Sequence, residues 1–131
     1  MTNNKCKGTA DGYWEGTFRH ELFHTFGITH TNRRKDSGKY IQVKKRNIDP
    51  DYTHNFEICP ECPIPDEENN PYECNSIMHY DSKAFSVNDK DTIISINEAE
   101  CPTKALEAKN RFHPTPNDWK VLKNILGCNQ R

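Results

Sequence analysis

One stretch of eleven residues constrains this chain more than the rest of it: His20-Glu21-Leu22-Phe23-His24-Thr25-Phe26-Gly27-Ile28-Thr29-His30. On a helix, His20 and His24 leave the same face about one turn apart. Two imidazoles so placed suit a shared zinc ion. Glu21 is rotated by about 100° from His20, so it need not be a ligand and can reach a water in an open coordination position. Gly27 tolerates the left-handed conformation that ends a helix sharply, and the chain can then bring His30 back as a third ligand. Three protein ligands plus a water is the catalytic pattern, whereas structural zinc sites are closed by four. With the composition of this chain, the five fixed positions match by chance about 4 times in 100,000. Six scattered surface histidines are therefore a poor account of the pattern.

The rest of the sequence supplies a thin core. Leu, Ile, Val and Phe make up 23 of 131 residues, below the roughly 20% at which disorder is a concern. The formal net charge is only −1, so the charge half of the disorder signature is missing. One domain over residues 1–131 is expected, with a metal or disulfides adding to what its core supplies. Mean hydropathy is −1.01 and no long apolar run occurs, which excludes a transmembrane helix. Residues 1–5, Met-Thr-Asn-Asn-Lys, hold no apolar leader region. A pI of about 6.6 gives no global pull towards nucleic acid or anionic membrane. Six cysteines favour an oxidising compartment or a metal site.

Local patterning predicts a helix over residues 14–26, with Trp14, Phe18, Leu22 and Phe26 stacked on one face. Short strands are predicted at 40–43 and 92–96. Residues 57–75 carry four prolines and six acids, which forbid a regular element and call for a covalent tie. Cys59-Pro60-Glu61-Cys62 has no second C-x-x-C to make a zinc ribbon and no strand–helix context for a redox site. Disulfides among Cys59, Cys62, Cys74 and Cys101 are the expectation, although six cysteines allow 15 pairings and the sequence does not choose among them. A final helix is predicted with Thr115 as N-cap, Pro116 in the first turn and Asp118 completing a capping box. Val121, Leu122, Ile125 and Leu126 form its apolar stripe, and Gly127 ends it.

The histidine segment resembles that of the metzincins, zinc endopeptidases whose third His follows a helix-ending Gly. These enzymes also carry a methionine turn beneath the metal, and here Ser76-Ile77-Met78-His79-Tyr80 follows His30. S-x-M-H-Y is the astacin form of that turn. Arg34, Asp36, Tyr40 and Asn47-Ile48 resemble the astacin stretch after the third His. Ala84-Phe85-Ser86 and Thr92-Ile93 resemble the segment after the turn, and residues 118–128 the family's final helix and closing Cys. The resemblance covers about residues 16–128.

That resemblance implies an α+β, zincin-like catalytic domain present in part: active-site helix, Met-turn over Met78, irregular C-terminal subdomain and final helix. It implies a secreted zinc metalloendopeptidase with one catalytic zinc on His20, His24 and His30, Glu21 as general base, and Tyr80 as a labile ligand that swings to stabilise the tetrahedral intermediate. A protein or peptide substrate is the expected partner, with a monomeric chain, no nucleic acid and no membrane insertion. His79 receives no chemistry on this reading, and His54 and His113 are expected on the surface.

Three departures accompany the resemblance. Thr31 stands where astacins carry a Glu that pairs with the mature N-terminus. The family's upper sheet, with the edge strand that pairs with substrate, has no counterpart in this sequence, so the chain is expected to be the C-terminal part of a catalytic domain, poorly active alone. Cys128 and a shifted Cys6 are then expected to lack their partners. The competing readings are a non-catalytic secreted zinc-binding module and a disulfide-stapled partner-binding fragment. Thr31 favours the first of these, and Glu21 opposes it.

Overall fold

The computed structural model describes residues 13–62, 69–107 and 113–128. Cys6 and residues 63–68 of the Pro-rich loop lie outside these. The first element is helix α1, Tyr13–Thr25. Gly27 ends it with φ +86°, its N–H donating to the His24 carbonyl (2.9 Å) while the Ile28 N–H reaches back to Phe23 (3.2 Å). These paired bonds are the Schellman closure that a glycine at this position allows. Ile28 also packs against the core that contains Phe23.

The inward face of α1 is not the stripe read from the sequence. Phe23 is fully buried with Ile77, Met78 and Leu122, whereas Phe18 is 68% exposed and Leu22 and Phe26 are also exposed. The side chain of Trp14 lies outside the described residues. Phe23 stands three residues after His20 and so shares its face. Turning the histidines inward therefore turns Phe23 inward and the every-fourth stripe outward.

Beyond α1 the chain runs through short 3₁₀ turns at Thr31–Arg33, Ser37–Lys39, Lys45–Asn47 and Pro50–Phe56. Strands β1 (Ile41–Val43) and β2 (Ile93–Ser95) pair antiparallel, Ile41 opposite Ser95 and Val43 opposite Ile93. Both predicted strands exist, each trimmed by a residue or two. A single turn of helix, α2 (Thr103–Leu106), follows. Ile41, Ile48, Phe56, Tyr72, Ile93 and Leu106 form the second core around the Cys74–Cys101 disulfide. A second disulfide, Cys59–Cys62, closes the start of the Pro-rich loop. The expected tie of that region is thus present, with one bridge local and one reaching across the subdomain. Cys128 is an exposed free thiol.

The final helix α3 spans Pro116–Ile125 and has the predicted capping box, Asp118 N–H donating to Thr115 Oγ1 (3.0 Å) and Thr115 N–H to Asp118 Oδ2 (2.9 Å). Only Leu122 of its stripe is fully buried, while Ile125 and Leu126 are exposed. Asp118 does more than cap. It also accepts from Ser76 Oγ (2.5 Å) and from the Ile77 N–H (3.1 Å), so one buried carboxylate joins the start of α3 to the methionine turn. Asp118→Ala should remove the side-chain half of the capping box and leave the buried Ser76 hydroxyl and Ile77 N–H without this acceptor, costing roughly 2–4 kcal/mol. Urea denaturation of the variant checks this, and an unchanged midpoint would contradict it.

Candidate metal centre

Two elements meet at the centre: the C-terminal half of α1 and the turn at residues 76–80. His20 and His24 project from α1. The Schellman turn then redirects the chain, and His30 follows in extended backbone. The Thr31 N–H donates to the Met78 carbonyl (3.0 Å), which fixes the loop carrying His30 to the methionine turn. Met78 itself is fully buried beneath the histidines' helix, in the Phe23 core.

The three imidazoles converge through their Nε2 atoms, which lie 3.0 Å (His20–His24) and 3.1 Å (His20–His30, His24–His30) apart. Their opposite nitrogens reveal the protonation pattern. His20 Nδ1 lies 2.8 Å from the Ile77 carbonyl, and His24 Nδ1 lies 2.8 Å from the Ile28 carbonyl. A carbonyl oxygen only accepts, so each Nδ1 carries a hydrogen, and a ring with that single hydrogen presents a bare lone pair at Nε2. Two lone pairs facing each other at 3.0 Å repel unless a cation lies between them. One ion at the roughly 2.0–2.1 Å typical of zinc–imidazole bonds can reach all three nitrogens at these spacings. The donor set therefore fits a zinc ion, with its outer-shell carbonyls fixing the tautomer as such sites require. Among the described residues this is the sole group of three metal-ligating side chains.

Burial first, then the neighbouring His24, His20 and Arg33, pull the His30 pKa from 6.5 to about 3. His30 is consequently neutral, and able to ligate, at physiological pH. Tyr80 leans on His30 with ring centroids 4.4 Å apart. It is half-buried, and desolvation raises its phenol pKa while Arg33 opposes that rise. Glu21 lies beside His20 on α1 with its side chain exposed. His54 and His113 are on the surface, as expected, with Arg19 Nη1 2.7 Å from His113 Nδ1.

Several contributors carry no sequence signal that singles them out. Arg33 borders the centre: its Nε–H donates to the Glu57 carbonyl (2.9 Å) and its own carbonyl accepts from the Cys59 N–H (2.9 Å). The disulfide loop is thereby tied to the metal side. Thr31 is buried, and a cavity of about 50 Å³ beside it is bounded by Met78, Glu73 and Asp118 among others. The resemblance marks Arg34, Asp36 and Tyr40, but not what they build. Arg34 forms a two-bond pair with Asp36 (2.9 and 2.8 Å) and donates to the Asn70 carbonyl (2.9 Å). Its guanidinium covers the ring of Tyr72, which also stacks on Tyr40 at 4.5 Å. No short-range sequence signal connects these residues, which are up to 38 positions apart.

A helix carrying two histidines, a methionine turn and three converging imidazoles define a zincin-like fold. A sequence profile of the Astacin peptidase family matches residues 6–124, and the chain belongs to that family. It is similar to zinc metalloproteinase nas-14 of Caenorhabditis elegans, 40% identical over 117 residues, covering 88% of this chain and 22% of that protein. It is also similar to the low choriolytic enzyme of Oryzias latipes, 37% identical over 78 residues, covering 60% of this chain and 27% of the enzyme. Among solved structures, high choriolytic enzyme 1 of O. latipes, a hatching enzyme zinc-protease, superposes with a TM-score of 0.67 at 28% identity, over 85% of this chain and 51% of that one. The chain thus spans between about a fifth and a half of the length of these proteins.

The depressed pKa of His30 has a consequence for the metal-free protein. Below pH 6.5 the unfolded chain protonates His30, while the folded chain resists protonation down to about pH 3. The unfolded state then binds more protons, so His30 makes the metal-free fold weaken as pH falls through that window. Urea midpoints of metal-free wild type and His30→Gln, measured between about pH 7 and 4, should show the steeper acid loss in the wild type. Parallel profiles would contradict the assignment.

Proposed function

We propose that this chain carries the metal-binding and proton-transfer machinery of a zinc-dependent endopeptidase. The observation that carries the reading is the convergence of three imidazole lone pairs, two of them fixed by backbone carbonyls, beside an acidic residue on the same helix. His20, His24 and His30 would hold the ion. Zinc, when bound, supplies a Lewis acid for the scissile carbonyl and lowers the pKa of its water to around 7.

The remaining chemistry falls to side chains. Glu21, one helix position from His20, takes the proton from the attacking water and later delivers it to the leaving amine. Its exposure leaves it open to the solvent side from which water and substrate arrive. Tyr80, resting against His30, would be a further, labile ligand to that ion, and its hydroxyl would donate to the oxyanion of the tetrahedral intermediate. The substrate is a protein or peptide, in keeping with the peptidase family. Two disulfides suit an oxidising, extracellular setting, and no helix of the described residues is long and apolar enough to cross a membrane.

Casein proteolysis with and without a chelator separates this reading from a non-catalytic zinc module, which would bind the metal and hydrolyse nothing. His24→Ala should lose zinc, by metal analysis of the purified protein, and a full zinc complement would sink the ligand assignment. Glu21→Ala should keep the metal and lose hydrolysis by orders of magnitude, and activity within a few-fold of wild type would exclude Glu21 as the base. Tyr80→Phe removes one oxyanion donor and should cost about 100- to 1,000-fold in kcat. An unchanged kcat would make Tyr80 a packing residue.

A further inference from the structure

We propose that Tyr72 and His79 are positioning residues for Tyr80, acting through the anchored His79 imidazole. This inference rests on the role given to Tyr80 above. His79 is buried within the methionine turn, and both of its ring nitrogens are engaged. Nδ1 lies 2.6 Å from the carbonyl oxygen of Tyr80. That oxygen only accepts, so Nδ1 bears the hydrogen. In the neutral ring Nε2 is then an acceptor, and it lies 2.7 Å from the Tyr72 hydroxyl, which donates to it.

The direction of this relay matters because Tyr80 lies outside every helix and strand. No ladder of main-chain bonds sets the plane of its peptide. The His79 N–H holds its carbonyl, and rotation of that peptide would swing the ring that leans on His30. The Tyr72 hydroxyl in turn anchors Nε2 and holds the imidazole ring in the orientation that keeps its Nδ1–H on the carbonyl. Removing that hydroxyl takes away the bond that holds the far side of the ring, and with it part of the hold on the Tyr80 peptide.

Tyr72 is itself immobilised. Tyr40 stacks on its face with planes 5° apart, and the guanidinium of Arg34 sits 5.5 Å from its centroid. The Arg34–Asp36 pair is thus the foundation of a chain that runs through Tyr72 and His79 to Tyr80. This places His79, which the sequence leaves without a task, in the same arrangement as residues more than 40 positions away.

The test loads the protein with copper(II) alone and reads the phenolate-to-copper charge-transfer absorption, which needs no turnover. Wild type should show the band and Tyr80→Phe should abolish it. Tyr72→Phe keeps the stacked ring and removes only the hydroxyl, and it should weaken the band. Where hydrolysis is measurable, the same variant should lower kcat about 10- to 100-fold, the usual cost of an outer-shell change, with KM unchanged. His79→Asn places an N–H where Nδ1–H stood and has no Nε2 for Tyr72 to hold. It should retain the band, and adding Tyr72→Phe to it should change nothing further. A wild-type band that survives Tyr72→Phe intact overturns the positioning role while leaving Tyr80 as a ligand. So does an effect of Tyr72→Phe that persists in the His79→Asn background. No band in wild type overturns the reading of Tyr80 itself, and with it this inference.

Discussion

The hydrogen bond from His20 Nδ1 to the Ile77 carbonyl is the contact on which the rest of the structure turns. It joins the helix that carries His20 and His24 to the methionine turn across 57 residues of sequence, and it decides which nitrogen of His20 faces the other imidazoles. Its geometry requires the histidine face of α1 to look inward, which buries Phe23 with Met78 and Leu122. The same requirement pushes Phe18, Leu22 and Phe26 to the outside. A helix that is apolar on one side and metal-binding on the other can satisfy only one of these faces at a time within this subdomain.

The turn that accepts this bond is itself held from two directions. On one side Asp118, at the start of α3, receives the Ser76 hydroxyl and the Ile77 N–H. On the other, the Cys74–Cys101 disulfide fixes the residues just before it to the second core, beside β2 and α2. The turn is therefore rigid although it contains no regular element. Rigidity at this point is useful: a metal site tolerates little displacement of its ligands, and outer-shell groups hold them in place. A chain with so few large apolar residues obtains that rigidity from a buried carboxylate and a cross-link where a larger domain would rely on its core.

Much of this is legible in the sequence, for reasons that are local. The spacing of His20, His24 and His30 about Gly27 encodes a helix, a stop and a return within eleven residues. The capping box at Thr115 and Asp118 is likewise read from four. What stays hidden depends on contacts between distant segments. Phe23 is masked because the every-fourth apolar stripe is the stronger periodic signal, and periodicity cannot say which face a histidine cluster will claim. The choice of Cys59–Cys62 and Cys74–Cys101 among 15 pairings needs the fold. So does the stacking of Tyr40 on Tyr72 under Arg34. Asp118 is recognisable as a cap from its spacing, but its second function, receiving the methionine turn, has no sequence signature.

The central claim is that three imidazoles, and no cysteine, form the metal site. X-ray absorption spectroscopy at the zinc edge of the zinc-loaded protein tests it most directly. The account predicts one zinc per chain with a shell of light atoms at roughly 2.0–2.1 Å, multiple-scattering features of three imidazoles, and no sulfur at roughly 2.3 Å. A sulfur contribution, fewer than three imidazoles, or a second tightly held zinc in the cysteine-containing loop would contradict it.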